Sequence, residues 1–182
     1  ADLKGQVTML QFTASWCHVC WEEMPQIEKK IWKVYKNIGL NVIGIDRDET
    51  ADVVIKFAKK VQITYPLALD PGADIFALFA DRDSGVTRNV IIAPDGTISF
   101  LTRLFEMQEF NDMKRVIHNL LMDQLLEQKQ SLIAKRQILK HLKKQQSRSE
   151  RYSIRKLETE LFKAERELNR KERKLALAEM RL

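Results

Sequence analysis

The part of the chain after Gly96 lacks glycine, proline and tryptophan. All 6 glycines, all 4 prolines and all 3 tryptophans of the 182 residues lie at or before that position. Glycine and proline are the residues that most often end strands and form turns. Their absence argues against a repeated sheet topology in the second half of the chain, so a helical tail is the default prediction there.

Long apolar runs are also missing from the sequence. None approaches the roughly 20 residues that are needed to span a bilayer. The opening ADLKGQVTML lacks the order of charged, apolar and small residues that marks an export signal. We therefore expect a soluble chain, which could equally be a mature form whose export signal has been removed.

The charge of the chain is divided unevenly along its length. Residues 1–122 carry 14 Lys+Arg against 16 Asp+Glu, and residues 123–182 carry 17 against 9, so the net +6 is −2 plus +8. A basic segment attracts nucleic acid, anionic membranes and acidic proteins without choosing among them. The tail has only two aromatic residues, Tyr152 and Phe162, on which bases could stack, so a nucleic-acid partner is not favoured. Membrane contact has no further support.

Only two cysteines are present, three residues apart in the run WCHVC. A zinc site needs four ligands, and no histidine stands at zinc-finger spacing from this pair, so we predict no metal site. The residue after Cys20 is Trp21, which excludes c-type haem attachment. A purely structural disulfide would stabilise little across so short a loop. We predict no cofactor, and the pair is left as a candidate redox centre.

Residues 1–122 show alternating strand and helix patterns. The predicted strands are 7–14, 40–45, 65–69, 89–93 and 97–101, and the predicted helices are 21–38, 53–61, 74–79 and 106–122. Pro94-Asp95-Gly96 joins the last two strands as a hairpin turn. This order predicts an α/β fold in which a central mixed sheet has helices on both faces.

Residues 123–182 have the pattern of a basic helical or coiled-coil tail. Leucines recur every seven residues in its first half, with Gln128 and Lys135 interrupting the stripe, and more regularly after Ile154. Ser147 to Glu150 matches a capping box. We predict helices at about 123–145 and 148–182, folded as a hairpin or joined as one long helix. An exposed leucine stripe is unfavourable, so we expect it to pack against the other tail helix, the first domain or another chain. A dimerisation element is the favoured interpretation.

The cysteines stand where a predicted strand ends and a helix begins, which is the context that makes a C-x-x-C pair informative. The spacing lets both sulfurs meet in the first helical turn, and the helix terminus stabilises a thiolate on the first cysteine. Cys17 is then the nucleophile, and Cys20 is the resolving thiol.

These residues also resemble a known family. The runs DLKGQVTMLQFTASWCHVCWEEMPQIEKKI, LNVIGIDRDE, ITYPLALDPG and NVIIAPDGTI are similar to the TlpA/ResA-type thioredoxin-like proteins, bacterial extracytoplasmic thiol–disulfide oxidoreductases. The resemblance covers residues 1 to about 120. It implies a thioredoxin-like fold, an extracytoplasmic location in the bacterial periplasm, cysteine-containing protein substrates and a redox partner protein.

The resemblance also suggests roles for side chains around the pair. Glu23 matches an active-site glutamate that tunes the thiols, and Trp16 matches an active-site aromatic residue. The Trp16 ring either forms part of the substrate surface or packs against the domain. His18 stands where relatives often have proline or glycine; it either stabilises the Cys17 thiolate or simply faces solvent. Glu22 is expected to be solvated, and Pro25 is expected to kink the first helix.

Two positions depart from the family pattern. Thr87 aligns with the cis-proline that normally faces the C-x-x-C pair, and its preceding peptide is either cis under strain or relaxed to trans. Gln11 stands where cytosolic thioredoxins have a buried Asp, which would leave proton handling to Glu23.

From these residues and the resemblance we predict a thiol–disulfide oxidoreductase. The alternative is a non-catalytic adaptor that combines a thioredoxin-like binding module with an oligomerising tail.

Overall fold

The computed structural model describes residues 3–145 and 151–182. The capping box predicted at 147–150 lies outside these residues. The chain forms two compact units, the first ending at Leu120 and the second comprising Leu121–Arg181. The division after residue 122 that the sequence suggests stays a proposal.

The first unit is built around a five-stranded sheet in the order β3-β2-β1-β4-β5. The strands are β1 Val7–Thr13, β2 Leu40–Arg47, β3 Leu67–Asp70, β4 Arg88–Ile92 and β5 Ile98–Arg103. β2 is parallel to β1 and to β3, while β4 is antiparallel to β1 and to β5. The predicted mixed sheet with a late antiparallel hairpin is confirmed.

The helical segments follow the predicted order with shifted ends. They are α1 His18–Ile27, a π-helical segment Glu28–Trp32, α2 Lys33–Tyr35, α3 Ala51–Val61, a 3₁₀ turn Phe76–Leu78, α4 Met107–Gln145 and α5 Arg151–Glu179. The first helix begins three residues earlier than predicted because Cys17 is its N-cap residue. The π-helical segment begins three residues after Pro25, which lies inside α1 and has no backbone N–H to donate.

β1 lies at the centre of the sheet and of the core. All seven of its residues are buried, so both faces of this strand are covered. Edge-on contact joins the rings of Phe12 and Phe76, whose centroids lie 5.4 Å apart. β1 and β2 end at the same edge of the sheet, where Thr13 is the register partner of Asp46. The chain leaves β1 at this edge to form the loop that carries the cysteines.

The second unit contains an antiparallel helical hairpin formed by the later part of α4 and by α5. Three ion pairs join the helices: Lys129 to Glu172 at 2.8 Å, Arg136 to Glu165 at 3.3 Å, and Lys143 to Glu158. From one ion pair to the next, the residue number rises by seven along α4 and falls by seven along α5, as an antiparallel pair of helices requires. Of the two arrangements that the sequence allowed for the tail, the structure has the hairpin.

α4 differs from the prediction in one respect. The helices predicted at 106–122 and about 123–145 form one uninterrupted helix, Met107–Gln145. Its sequence contains neither glycine nor proline, so no residue in it breaks the backbone hydrogen bonding. Within the described residues, no helix combines the length and the apolar character that crossing a membrane requires.

Candidate redox site

The two cysteines are bonded to each other as a disulfide at the start of α1. Their Cα atoms lie 5.3 Å apart. Cys17 is the N-cap residue, and the backbone N–H of Cys20 donates to its Sγ over 3.2 Å. Cys17 is 7% exposed, whereas Cys20 has no exposed surface. Only Cys17 can therefore be reached from solvent, and its sulfur lies at the positive end of the helix dipole.

Thr87 faces the disulfide from the loop before β4. Its Oγ1 lies 3.0 Å from Cys17 Sγ and 3.5 Å from Cys20 Sγ, and the side chain is buried. Among the described residues no peptide bond is cis, so the bond before Thr87 is trans, the second of the two conformations considered from the sequence. A hydroxyl group therefore contacts both sulfurs where relatives are expected to present a proline ring.

Glu23 lies one turn beyond Cys20 and is almost fully buried. Asn89 donates from Nδ2 to Glu23 Oε1 over 2.6 Å and also to Thr102 Oγ1 over 2.8 Å. Burial raises the pKa of Glu23 to about 7, although the hydrogen bond from Asn89 and the nearby Gln11 side chain partly oppose this rise. The carboxyl group thus changes its protonation near neutral pH in a dry environment.

Gln11 and Tyr65 complete this buried polar group. Gln11 lies in the middle of β1, and its Oε1 accepts a hydrogen bond of 2.8 Å from the Tyr65 hydroxyl. Because Gln11 is neutral, the titratable carboxyl group of this cluster belongs to Glu23. Asn89 and Tyr65 were not recognised from the sequence; the only signal for Asn89 was a polar residue at the start of the apolar run NVIIA.

Trp16 and His18 lie on the surface on either side of Cys17. Trp16 is 57% exposed. The His18 side chain is 88% exposed, and its Nδ1 lies 3.7 Å from Glu22 Oε1. The His18 side chain therefore faces solvent, and its effect on the Cys17 thiolate stays a prediction. The structure brings Thr87 to the two cysteines, places Glu23 in a buried cluster, and leaves Trp16 and His18 exposed.

A further contact holds the loop before Cys17 and was missed by sequence reasoning. The backbone N–H and the Oγ of Ser15 both donate to the carboxylate of Glu49, each over 2.5 Å. Trp21 donates from Nε1 to the Ser15 carbonyl oxygen over 2.8 Å. Glu49 follows β2 and Trp21 lies in α1, so Ser15 is held by contacts from two different segments of the chain.

Within residues 3–145 and 151–182, no group of three or more His, Cys, Asp or Glu side chains is arranged to hold a metal.

Curated relatives match the first unit. Thiol-disulfide oxidoreductase ResA of Bacillus cereus is 32% identical over 100 residues, which are 50% of this chain and 57% of the relative. ResA of Bacillus thuringiensis is 35% identical over 78 residues, 43% of this chain and 44% of the relative. The chain thus spans about half the length of the curated relatives it matches.

Solved structures show the same likeness. A candidate protein disulfide isomerase from Bacteroides thetaiotaomicron superposes with a TM-score of 0.64 at 55% identity, covering 66% of this chain and 76% of that one. A candidate thiol:disulfide interchange protein DsbE from Chlorobium tepidum superposes with a TM-score of 0.59 at 24% identity, covering 66% and 83%. The second likeness concerns the fold alone.

The AhpC/TSA family matches residues 1–101, more than half of the sequence. This stretch contains β1, the two cysteines, Glu23 and Thr87. The sheet order, the disulfide at the amino end of α1 and the relatives described above agree with that match. The chain therefore belongs to the AhpC/TSA family and has a thioredoxin-like fold.

Proposed function

We propose that this chain is a thiol–disulfide oxidoreductase that acts on protein disulfides. The observation that carries the proposal is the arrangement around Cys17: its sulfur accepts from the Cys20 amide and contacts the Thr87 hydroxyl, and Cys17 is the residue of the pair that keeps some exposed surface, 7% against 0% for Cys20. Hydrogen bonds from the amide and the hydroxyl, together with the helix dipole, stabilise a thiolate at this position. Nothing in the fold or among the relatives supports the adaptor alternative.

The reaction follows from this geometry. In the reduced protein the Cys17 thiolate attacks one sulfur of a substrate disulfide, so the substrate S–S bond breaks, a mixed disulfide forms and one substrate thiolate leaves. The Cys20 thiolate then attacks Cys17 Sγ, which releases the second substrate thiolate and forms the Cys17–Cys20 bond. Two electrons pass from the chain to the substrate. Reversal of the same steps oxidises a substrate dithiol.

Glu23 is proposed as the group that takes the proton of the Cys20 thiol before the second step. Cys20 is fully buried, so its thiol cannot lose a proton directly to solvent. A carboxyl group with a pKa of about 7, three residues along the same helix, matches the requirement that a general base be half ionised near working pH. Asn89 keeps the carboxyl group in place through its hydrogen bond to Oε1.

Thr87 is proposed as a residue that tunes the redox pair. A hydroxyl 3.0 Å from Cys17 Sγ can donate to the thiolate, whereas a proline ring has no donor. A donor that favours the thiolate favours the reduced form and makes the pair more oxidising.

Two exposed residues beside Cys17 are also given roles. Trp16 is proposed to contact the substrate, and His18 is proposed as a second tuning residue that acts from the solvent side.

The test of the function is a redox titration followed by turnover. The protein is equilibrated with mixtures of reduced and oxidised glutathione, and the fraction of Cys17–Cys20 disulfide is read by alkylation and mass spectrometry. We expect one reversible two-electron transition, and catalysed reduction of insulin by dithiothreitol. Thr87→Ala is the matched variant, and its transition should shift toward reducing potentials. A disulfide that stays intact across the whole range, with no insulin reduction, contradicts the proposal.

We propose an extracytoplasmic location, in the bacterial periplasm. Its support is the resemblance of residues 1 to about 120 to TlpA/ResA-type proteins, which are extracytoplasmic. The proposed partners are cysteine-containing proteins of that compartment as substrates, together with a redox protein that restores the working state of the pair.

The helical hairpin is proposed to join copies of the chain as a coiled-coil element. One face presents a cluster of apolar side chains: Ile138, Leu142, Leu157, Leu161 and Ala164. Ile138 is 61% exposed and Leu157 is 48% exposed, which is unfavourable for a helix that stays uncovered. A second copy covering this face would remove that cost.

Sedimentation equilibrium tests the proposed association. The full chain of 21.3 kDa should sediment as a multiple of that mass. Replacement of Ile138 and Leu157 by Lys should return it to the monomer mass, because a charged side chain is not tolerated in an apolar interface. Leu177→Lys, also at an exposed position of α5 but outside the cluster, is the control. A monomeric wild type would refute the association.

A further inference from the structure

A second pair of carboxyl groups lies beside the loop that carries the cysteines. Asp46, the register partner of Thr13, is completely buried, and neither of its oxygens has a hydrogen-bond partner within the described part of the chain. Glu49 lies three residues further on and binds Ser15 through both of its oxygens. Glu23 bonds to Asn89 on β4, whereas Asp46 lies near the end of β2 and Glu49 follows that strand, on the other side of β1.

The contacts of Ser15 explain why the pair matters for Cys17. Ser15 donates its N–H and its hydroxyl to Glu49 and accepts from Trp21, so its backbone is fixed on both sides. The next turn closes when the Cys17 N–H donates to the Ala14 carbonyl oxygen over 3.1 Å. Few residues therefore separate the end of β1 from Cys17, and Glu49 fixes the position of one of them, Ser15.

We propose that Glu49 is a positioning residue for Cys17, and that Asp46 keeps Glu49 in place by donating its own carboxyl proton to it. This inference rests on the proposed function, because it assigns a role toward the same nucleophile. An unpartnered buried carboxylate is strongly unfavourable, so Asp46 is held as the neutral acid, which can donate a hydrogen bond. Glu49, whose two oxygens accept from Ser15, is the acceptor that we assign to this acid.

The electrostatics of the pair agree with this assignment. Burial, and after it the charge of the neighbouring Glu49, raise the pKa of Asp46 to about 7. Arg47, the adjacent cation, does not neutralise Asp46: its Nε lies 2.8 Å from Asp48 Oδ2, and its guanidinium lies over the Phe76 ring. When Asp46 ionises, two anions face each other and the hold on Ser15 weakens.

The test is the rate of Cys17 alkylation by iodoacetamide in the reduced full-length protein between pH 5 and 10. Glu49→Ala should lower the rate constant of the thiolate about tenfold, well within the roughly 100-fold that a 1 Å misplacement can cost. Glu49→Gln keeps an acceptor oxygen for Ser15 and should restore most of that loss. Asp52→Asn removes an exposed carboxylate from the first turn of α3 and should behave as wild type.

Asp46→Asn separates the two parts of the proposal. The amide donates to Glu49 at every pH, so this variant should match wild type at pH 6 and react several-fold faster at pH 9. Glu23 titrates in the same range but is present in both proteins, so the difference reports Asp46 alone. If the alkylation profile of Glu49→Ala superimposes on that of wild type, the positioning role is wrong, even if the melting temperature of the variant is lower. If Asp46→Asn and wild type react at equal rates at pH 9, the proposed hydrogen bond from Asp46 to Glu49 is wrong.

Alkylation and turnover distinguish this inference from the proposed function. If wild type fails to reduce insulin, the oxidoreductase proposal fails while the alkylation profiles still report how the loop is held. If insulin is reduced and the Glu49 variants keep the wild-type alkylation profile, the function stands and the positioning role is wrong.

Discussion

Cys17→Ser should reduce insulin no faster than the uncatalysed reaction, a loss of more than about 100-fold, which is modest for removal of a catalytic nucleophile. The reason is that Cys20 has no exposed surface and cannot replace Cys17 as the attacking thiol. Serine preserves the shape of the N-cap residue, and its hydroxyl still accepts the hydrogen bond from the Cys20 amide. The fold should therefore survive, which circular dichroism and the melting temperature can check.

Cys20→Ser is the matched variant and should fail differently. Cys17 still attacks, but no thiol resolves the mixed disulfide, so a covalent adduct with the substrate should accumulate. Non-reducing electrophoresis and mass spectrometry would show this adduct for Cys20→Ser and not for Cys17→Ser. If adducts formed through Cys20 in Cys17→Ser, the assignment of nucleophile and resolving thiol would be reversed.

Glu23→Gln should lower insulin reduction by about 100-fold at pH 7.5, the lower end of what general-base catalysis contributes. The amide cannot take a proton from the buried Cys20 thiol, although its oxygen can still accept from Asn89. The wild-type rate should rise as the pH passes through about 7, where Glu23 ionises, and the variant should lack this rise. Glu22→Gln, a change at the exposed neighbour, should keep the wild-type profile.

The same substitution should alter how stability depends on pH. The pKa of Glu23 is about 7 in the folded protein and 4.5 in its reference state, so the folded form binds the extra proton between these values. Stability is fully retained below pH 4.5 and falls as the pH rises through 7. The Gln variant lacks this fall, so its unfolding free energy should gain about 3 kcal/mol on wild type between pH 4.5 and 8.

Urea denaturation at several pH values measures this difference. Asp46 contributes a fall in the same direction, but it is present in both proteins and cancels. A difference in unfolding free energy that stays constant from pH 4.5 to pH 8 would mean that Glu23 is not held neutral by burial. The kinetic prediction would then lose its physical basis as well.

The fold was predictable because its signals are local. Short β-branched runs between turns specify each strand, and the tripeptide Pro94-Asp95-Gly96 specifies the hairpin. The ends of the helices were harder to predict from the sequence. The helices predicted at 106–122 and about 123–145 form one helix, since a change in charge does not interrupt a helix that lacks glycine and proline.

The site was predictable only in part. Cys17, Cys20 and Glu23 lie within seven residues of one another, and Thr87 was placed opposite the cysteines through the resemblance to relatives. The partners of these residues come from distant segments: Asn89 lies 66 positions from Glu23, and Glu49 lies 34 positions from Ser15. Such pairs depend on strand register, and one polar residue in a strand does not reveal which side chain it will meet.

The three ion pairs of the hairpin constrain how its length could change. Because successive pairs are seven residues apart on both helices, inserting one residue within either helix would turn everything beyond it by about 100° and separate the remaining pairs. Only an insertion of a whole heptad in each arm would return every Lys or Arg to a Glu. The hairpin can therefore lengthen or shorten over evolution in matched two-turn increments, while single-residue gaps should be rare within its helices.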